Sequence, residues 1–125
     1  MLKVTNNKIM INRGDIAVLT VSAQNKDGSD YTFKEGDVVR FKVMQYNNPG
    51  TIFIQKDVVV KEETTIVDIK LESEDTTIDE LIYMPTNYWY EVELNPDTEP
   101  QTIIGYDDTG AKLFVLYPEG GIKND

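Results

Sequence analysis

The chain has 125 residues, 40% of them hydrophobic, which fits one globular domain with a single core. Lysine and arginine number 12 and the acidic residues 22, so the formal net charge is −10. Such a surface repels nucleic-acid phosphates and anionic lipid headgroups, so we expect neither nucleic acid nor a membrane among the partners.

Histidine and cysteine are both absent from the sequence. Without cysteine there can be no disulfide, thiolate nucleophile or thiolate metal ligand. Without histidine the chain lacks the one side chain that titrates unperturbed near neutral pH, and the catalytic triads and metal sites that use it. We therefore predict that the chain is not an enzyme, and we assign it no catalytic residue, cofactor or metal ligand.

The first ten residues carry no apolar run. Residues 1–10 are mixed polar, and nowhere do about 18 apolar residues follow one another, so we expect no signal peptide and no membrane-spanning helix. The sequence has no internal repeat and no linker of low complexity. We predict a single domain over residues 1–125, with a loose tail over about residues 119–125 after Pro118.

Apolar residues alternate with period two along most of the chain, which is the pattern of half-buried β-strands. In the segment 87–94, for example, Tyr88, Tyr90 and Val92 share one face, and Trp89 lies on the other. Strands are predicted over residues 16–23, 38–44, 51–60 (as one long or two short strands), 64–71, 87–94, 102–106 and 112–117.

Turn-forming residues separate these segments. The pair Asp27-Gly28 suits a tight turn, and residues 47–50 form a dense cluster of strand breakers. Residues 107–110 predict a hairpin between the last two strands, with Gly110 in the left-handed conformation. The spacing of apolar residues after Asp75 predicts one short helical turn over Thr76–Leu81.

About seven short strands with regular turn signals and no alternation of strands and helices favour an all-β protein. We predict an antiparallel, immunoglobulin-like β-sandwich with one short helical turn. A closed barrel is the alternative that the pattern leaves open.

Several segments in this order form a recognisable series: Ile11–Asp15, Asp37–Val43, a turn at Ser73–Thr76, Tyr88–Leu94, and a closing strand through Phe114–Leu116. The series resembles the N-terminal immunoglobulin-like domain of phage baseplate upper proteins, and related small tail proteins of phages and prophages of Gram-positive bacteria. The resemblance covers roughly residues 8–117.

The resemblance implies a structural or accessory protein of a tail or baseplate, located in the virion or in the host cytoplasm during assembly. Its partners would be copies of itself and other tail or baseplate proteins. No stalk, coiled coil or receptor-binding region follows in this sequence, so direct host binding is not expected.

Two short motifs have a structural and a functional interpretation. Arg13-Gly14-Asp15 is the tripeptide that integrins recognise, but its place directly before a strand favours a plain turn. The loop Asp107–Gly110 could bind calcium if further oxygen ligands converged on it, but it lacks the alternating acidic spacing of a calcium loop. A hairpin turn is the simpler interpretation of this loop.

Aromatic residues cluster in one strand, at Tyr88, Trp89 and Tyr90. Aromatic side chains suit the pleated, half-buried surface of a sheet, and when exposed they also anchor protein interfaces. We therefore name these three residues as a possible interface. The alternative function is a carbohydrate-binding or adhesion module of a bacterial surface, in which the aromatic rings stack on sugars. A cleft lined by aromatic residues and carboxylates would favour this alternative.

Overall fold

A computed structural model describes residues 3–5, 7–78 and 83–118. The predicted tail, residues 119–125, lies outside the described residues. The elements in chain order are β1 (Lys3–Thr5), β2 (Lys8–Asn12), β3 (Ala17–Val21), β4 (Val38–Gln45), β5 (Asn48–Val59), β6 (Val67–Leu71), α1 (Ser73–Thr76), β7 (Thr86–Leu94), β8 (Gln101–Ile104) and β9 (Lys112–Tyr117).

The strands form two sheets that pack against each other, so the protein is all-β with a sandwich-like arrangement, as predicted. The larger sheet has the strand order β1-β2-β9-β7-β4-β5, and β8 also pairs with β7. The smaller sheet consists of β3 and β6, which run antiparallel. The pairing of β2 with β9 is parallel, whereas the sequence predicted antiparallel strands only.

The core lies between the sheets and is built from every second residue of the facing strands. In β3 and β6 the first, third and fifth residues are buried and the other two are exposed. Phe41 of β4 is fully buried, and its ring centroid lies 5.8 Å from that of Tyr90 and 6.3 Å from that of Phe114. Period-two alternation thus brings apolar side chains from both sheets into one layer.

The last two strands do not form the predicted hairpin. Both β8 and β9 pair with β7, β8 opposite Val92–Leu94 and β9 opposite Thr86–Tyr90. They therefore follow one another along a single edge of β7, and residues 105–111 loop out between them. Gly110 does have the predicted left-handed conformation, with φ of 96°. The glycine is needed by a local turn at Asp107, and this turn does not pair the flanking strands.

Strand β2 was not predicted. It runs parallel to β9 in register from Ile9 opposite Phe114 to Asn12 opposite Tyr117. Ile9 and Ile11 are buried beside that strand. Its partner β9 lies about a hundred residues away in sequence, and the one local signal is Asn7, which has a positive φ of 62° in the turn between β1 and β2.

The short helix begins and ends earlier than predicted. It spans Ser73–Thr76, and the backbone N–H of Glu72 donates to the Asp75 carboxylate at 2.7 Å. Asp75 is therefore the third residue of the turn, and does not precede it. Thr77 and Ile78 are not helical, and the end of the predicted turn, residues 79–81, lies outside the described residues.

The turn between β4 and β5 also lies earlier than the predicted breaker cluster. Only Tyr46 and Asn47 separate the two strands, and Asn47 has a positive φ of 59°. Asparagine tolerates this conformation, so the strands close a two-residue hairpin there. Pro49 and Gly50 lie inside the exposed beginning of β5, which is one long strand of 12 residues.

The position of Phe41 at the centre of the core gives a stability prediction. Phe41→Ala removes a fully buried ring that contacts two others, so we expect a loss of about 3–5 kcal/mol in the free energy of unfolding, measured by chemical denaturation. Val59→Thr keeps a β-branched residue at an exposed position and should change the free energy by at most about 0.5 kcal/mol. Equal losses in both variants would contradict this description of the core.

Candidate interaction surface

Alternation along β7 places the three predicted interface residues on two different faces. Tyr88 and Tyr90 are 2% and 3% exposed and belong to the core. Tyr88 and Tyr90 are therefore core residues, and neither belongs to the exposed surface of the large sheet that the prediction of an interface had in view. Trp89 lies on the opposite, outer face of the large sheet and is partly exposed.

Trp89 is the middle member of a row of three aromatic rings on the outer face. Its ring centroid lies 5.9 Å from that of Tyr46 and 6.3 Å from that of Tyr106, with interplanar angles of 60° and 66°. Tyr46 belongs to the β4–β5 turn, and Tyr106 to the loop between β8 and β9. Both tyrosines are more than half exposed. We call Tyr46, Trp89 and Tyr106 the aromatic row.

The aromatic row lies beside a small apolar cluster that is separate from the main core. Met44 and Val115 are buried, although neither belongs to the core between the sheets. Met44 lies opposite Trp89 on one side and opposite Ile52 on the other, and Trp89 lies opposite Leu113. Residues opposite one another share a face, so an apolar strip crosses four strands of the outer face and reaches the edge strand β5.

The other half of the outer face carries ion pairs. Arg40 of β4 donates to Asp57 of β5 at 2.8 Å and to Asp97, after β7, at 3.0 Å. These hydrogen bonds from Arg40 lower the pKa of Asp57, despite partial burial of the carboxylate. Arg40 thus links three separate segments of the chain across the sheet.

A second network lies beside the first. The Lys42 ammonium contacts Glu91 at 2.8 Å and Glu93 at 3.0 Å, both on β7. Burial alone would lower the pKa of Lys42, but the two hydrogen bonds outweigh it and raise the pKa. The carboxylates of Glu91 and Glu93, which share a face with Trp89, are therefore both held in ion pairs with Lys42.

The loop predicted as an alternative calcium site is organised around a lysine. The Lys112 ammonium lies 2.7 Å from an Asp107 carboxylate oxygen, 2.9 Å from the Thr109 hydroxyl and 3.4 Å from the Gly110 carbonyl oxygen. Its aliphatic stem is buried in line with the inner-facing residues of β9. The charge at the centre of these oxygens is thus supplied by the protein itself.

The integrin-type tripeptide is a structural turn, as predicted. Gly14 has a φ of 87°, and the Arg13 backbone N–H donates to the Tyr117 carbonyl oxygen at 2.9 Å. The Arg13 side chain donates from Nε to the Ile78 carbonyl oxygen at 3.2 Å. The arginine is therefore held against neighbouring segments and is not presented with Asp15 on a projecting loop.

A cleft with a volume of about 670 Å³ opens between the end of β3 and β8. Among the described residues that line it, Tyr31 is the one aromatic residue and no carboxylate is present. The aromatic row and the acidic side chains lie on the other face, so the combination expected of a sugar-binding cleft does not occur here.

Neither a cluster of metal ligands nor a membrane-spanning helix occurs in the part of the chain that the structure describes. Within residues 3–5, 7–78 and 83–118, no three acidic side chains come together as metal ligands. The same residues include no helix of the length and apolar character needed to cross a bilayer. No protein-family model matches the chain, and searches of curated proteins and of solved structures find no significant match.

The contact between Lys112 and Asp107 gives a pH prediction. Hydrogen bonds from Lys112 and Thr109 lower the pKa of Asp107 from 3.8 to about 2, so the carboxylate stabilises the folded state above pH 3.8 and this contribution is lost as pH falls through about 2. The difference in melting temperature between the wild type and Asp107→Asn should be constant above about pH 5 and should shrink towards pH 2. Asp108→Asn is the matched control, and an equal effect there would contradict the assignment.

The position of Lys112 at the centre of the loop also predicts that calcium does not change the stability of the protein. Because the Lys112 ammonium already contacts the converging oxygens, excess calcium chloride should leave the melting temperature of the wild type unchanged. Differential scanning calorimetry with calcium and with a chelator makes the comparison. A calcium-dependent rise that Asp107→Asn abolishes would show that the loop is a metal site.

Proposed function

We propose that this chain is a non-enzymatic structural or accessory protein of a phage or prophage tail or baseplate. It acts by packing against copies of itself and against other tail or baseplate proteins, in the virion or in the host cytoplasm during assembly. The assignment to a tail rests on the resemblance of residues 8–117 to baseplate upper proteins. The mode of action rests on the aromatic row.

The aromatic row has the composition of a protein interface. Tyr46 and Tyr106 expose large rings beside the half-buried Trp89, next to apolar side chains that already exclude water. Tyrosine and tryptophan dominate the energetics of interfaces because they bury a large area and lose little conformational freedom on binding. The neighbouring ion pairs on Arg40 and Lys42 supply a polar border.

The tilt of the rings favours a protein over a sugar as the partner. Neighbouring rings in the row meet at 60° and 66°, so the three rings are tilted relative to one another and do not form one flat platform. A sugar ring stacks on an exposed flat face, whereas side chains of another protein can fill the angles between tilted rings. This favours the tail protein over the carbohydrate-binding module.

The proposal includes no enzymatic role because of the state of the carboxylates. Glu91 and Glu93, which share the outer face of β7 with Trp89, neutralise Lys42. A glycosidase needs one carboxyl group whose pKa is raised so that it can act as an acid. Among residues 7–78 and 83–118, the pKa shifts resolved for aspartates, at Asp27, Asp37, Asp57 and Asp107, are all downward.

The first test is whether the chain is part of a particle. Tagged full-length protein, expressed from its own locus during induction of the phage or prophage, should be found by mass spectrometry in purified particles or bound to tail proteins. Its absence from both would overturn the proposal. Binding on a glycan array that Trp89→Ala abolishes would instead support the carbohydrate-binding module.

If the aromatic row is the interface, a substitution in the row should reduce recovery of the protein with purified particles. Tyr106→Lys places a charge in the row and should reduce recovery with particles at least about tenfold, as loss of an interface anchor does. Tyr83→Lys makes the same change at a tyrosine that is 80% exposed and has no ring contact with the row. Recovery of Tyr83→Lys should equal that of the wild type, and equal losses in both variants would exclude the row as the interface.

A further inference from the structure

Strand β3 has one edge without a pairing partner among the described strands, since it pairs with β6 alone. Its sequence, residues 17–21, contains no charged residue, proline or bulge. The edge strand β5 differs, because it carries Pro49, Lys56 and Asp57 and its pairing shifts register near Met44. Proteins use such features to prevent pairing at an edge, so β3 lacks the protection that β5 has.

The cleft described above lies beside this free edge. Thr20 and Val21 of β3 form one wall, and residues 101–104 of β8 form the other. A narrower apolar recess of about 160 Å³ continues from Val18 and Val21 to the core residues Phe41 and Tyr90. The recess is lined mainly by apolar side chains and has room for an apolar side chain of a partner above the buried Phe41 and Tyr90.

The charge of the lining limits the kind of partner. The cleft walls carry amide, hydroxyl and aliphatic groups with one ammonium, that of Lys26, and no carboxylate, in a chain whose net charge is −10. An uncharged segment, or one with an acidic residue near Lys26, meets no repulsion there. A second whole copy would bring another ten negative charges against this side of the molecule.

We propose that the cleft binds an extended segment of another protein, which adds to β3 as a third strand of the small sheet. The segment has apolar side chains at alternate positions, which enter the recess, and an acidic side chain near Lys26. Main-chain hydrogen bonds to β3 provide the attachment, and the recess selects the side chains. This site is separate from the aromatic row, so it stands or falls independently of the function proposed for that row.

The test uses the full-length chain and two synthetic nine-residue peptides. The first alternates valine and threonine and ends in glutamate, and the second has proline in place of each threonine. Binding of the first peptide should slow amide hydrogen exchange in residues 17–21, whereas the proline peptide cannot donate at those positions and should bind at least about tenfold more weakly. Unchanged exchange in β3, or equal binding of both peptides, would overturn the proposal.

A matched pair of variants locates the site. Val18 of β3 and Ile66, next to β6, are 47% and 51% exposed, so both tolerate lysine without a change in the core. Val18→Lys should weaken binding of the valine–threonine peptide about tenfold, because lysine on an edge strand opposes pairing, and Ile66→Lys should leave it unchanged. Equal affinities in the two variants would place the peptide elsewhere. Concentration-dependent dimers that Val18→Lys disrupts would show that a second copy occupies the edge.

Discussion

The rest of the structure depends on the register of β7. This strand pairs with β4 along one edge and with both β8 and β9 along the other. A slip of one residue would exchange Tyr90 for Trp89 or Glu91 at the centre of the core, and a buried carboxylate there would lose the lysine that neutralises it. The same register therefore determines the core and the outer face.

The register of β7 also determines how charged and apolar residues are distributed on the outer face of the large sheet. Towards one end of β4 the residues opposite β7 are charged and are joined by Arg40 and Lys42, and towards the other end they are apolar and contact Trp89. The charged half stabilises the pairing of neighbouring strands, while the apolar half leaves rings exposed. One sheet face thus combines a cross-strand ion-pair network with a surface suited to a partner.

Local pattern predicted the β7 alternation and the left-handed Gly110, because both depend on residues next to each other in sequence. It could not predict that β8 and β9 share one edge of β7, or that β2 pairs with β9, because these choices depend on distant strands. For the same reason, the sequence pattern identified Trp89 but did not connect it with Tyr46. Tyr46 lies more than forty residues from Trp89, and only its place beside a turn marks it.

The interruption between β8 and β9 places Tyr106 in a loop that takes no part in the pairing of either strand with β7. Each of the two strands is held by its own pairing with β7, so residues 105–111 can change in length without shifting either register. Tyr106 is carried by that loop, while Trp89 is carried by the strand beneath it. Changes in the length of this loop can therefore move Tyr106 relative to Trp89 while the hydrophobic core stays the same.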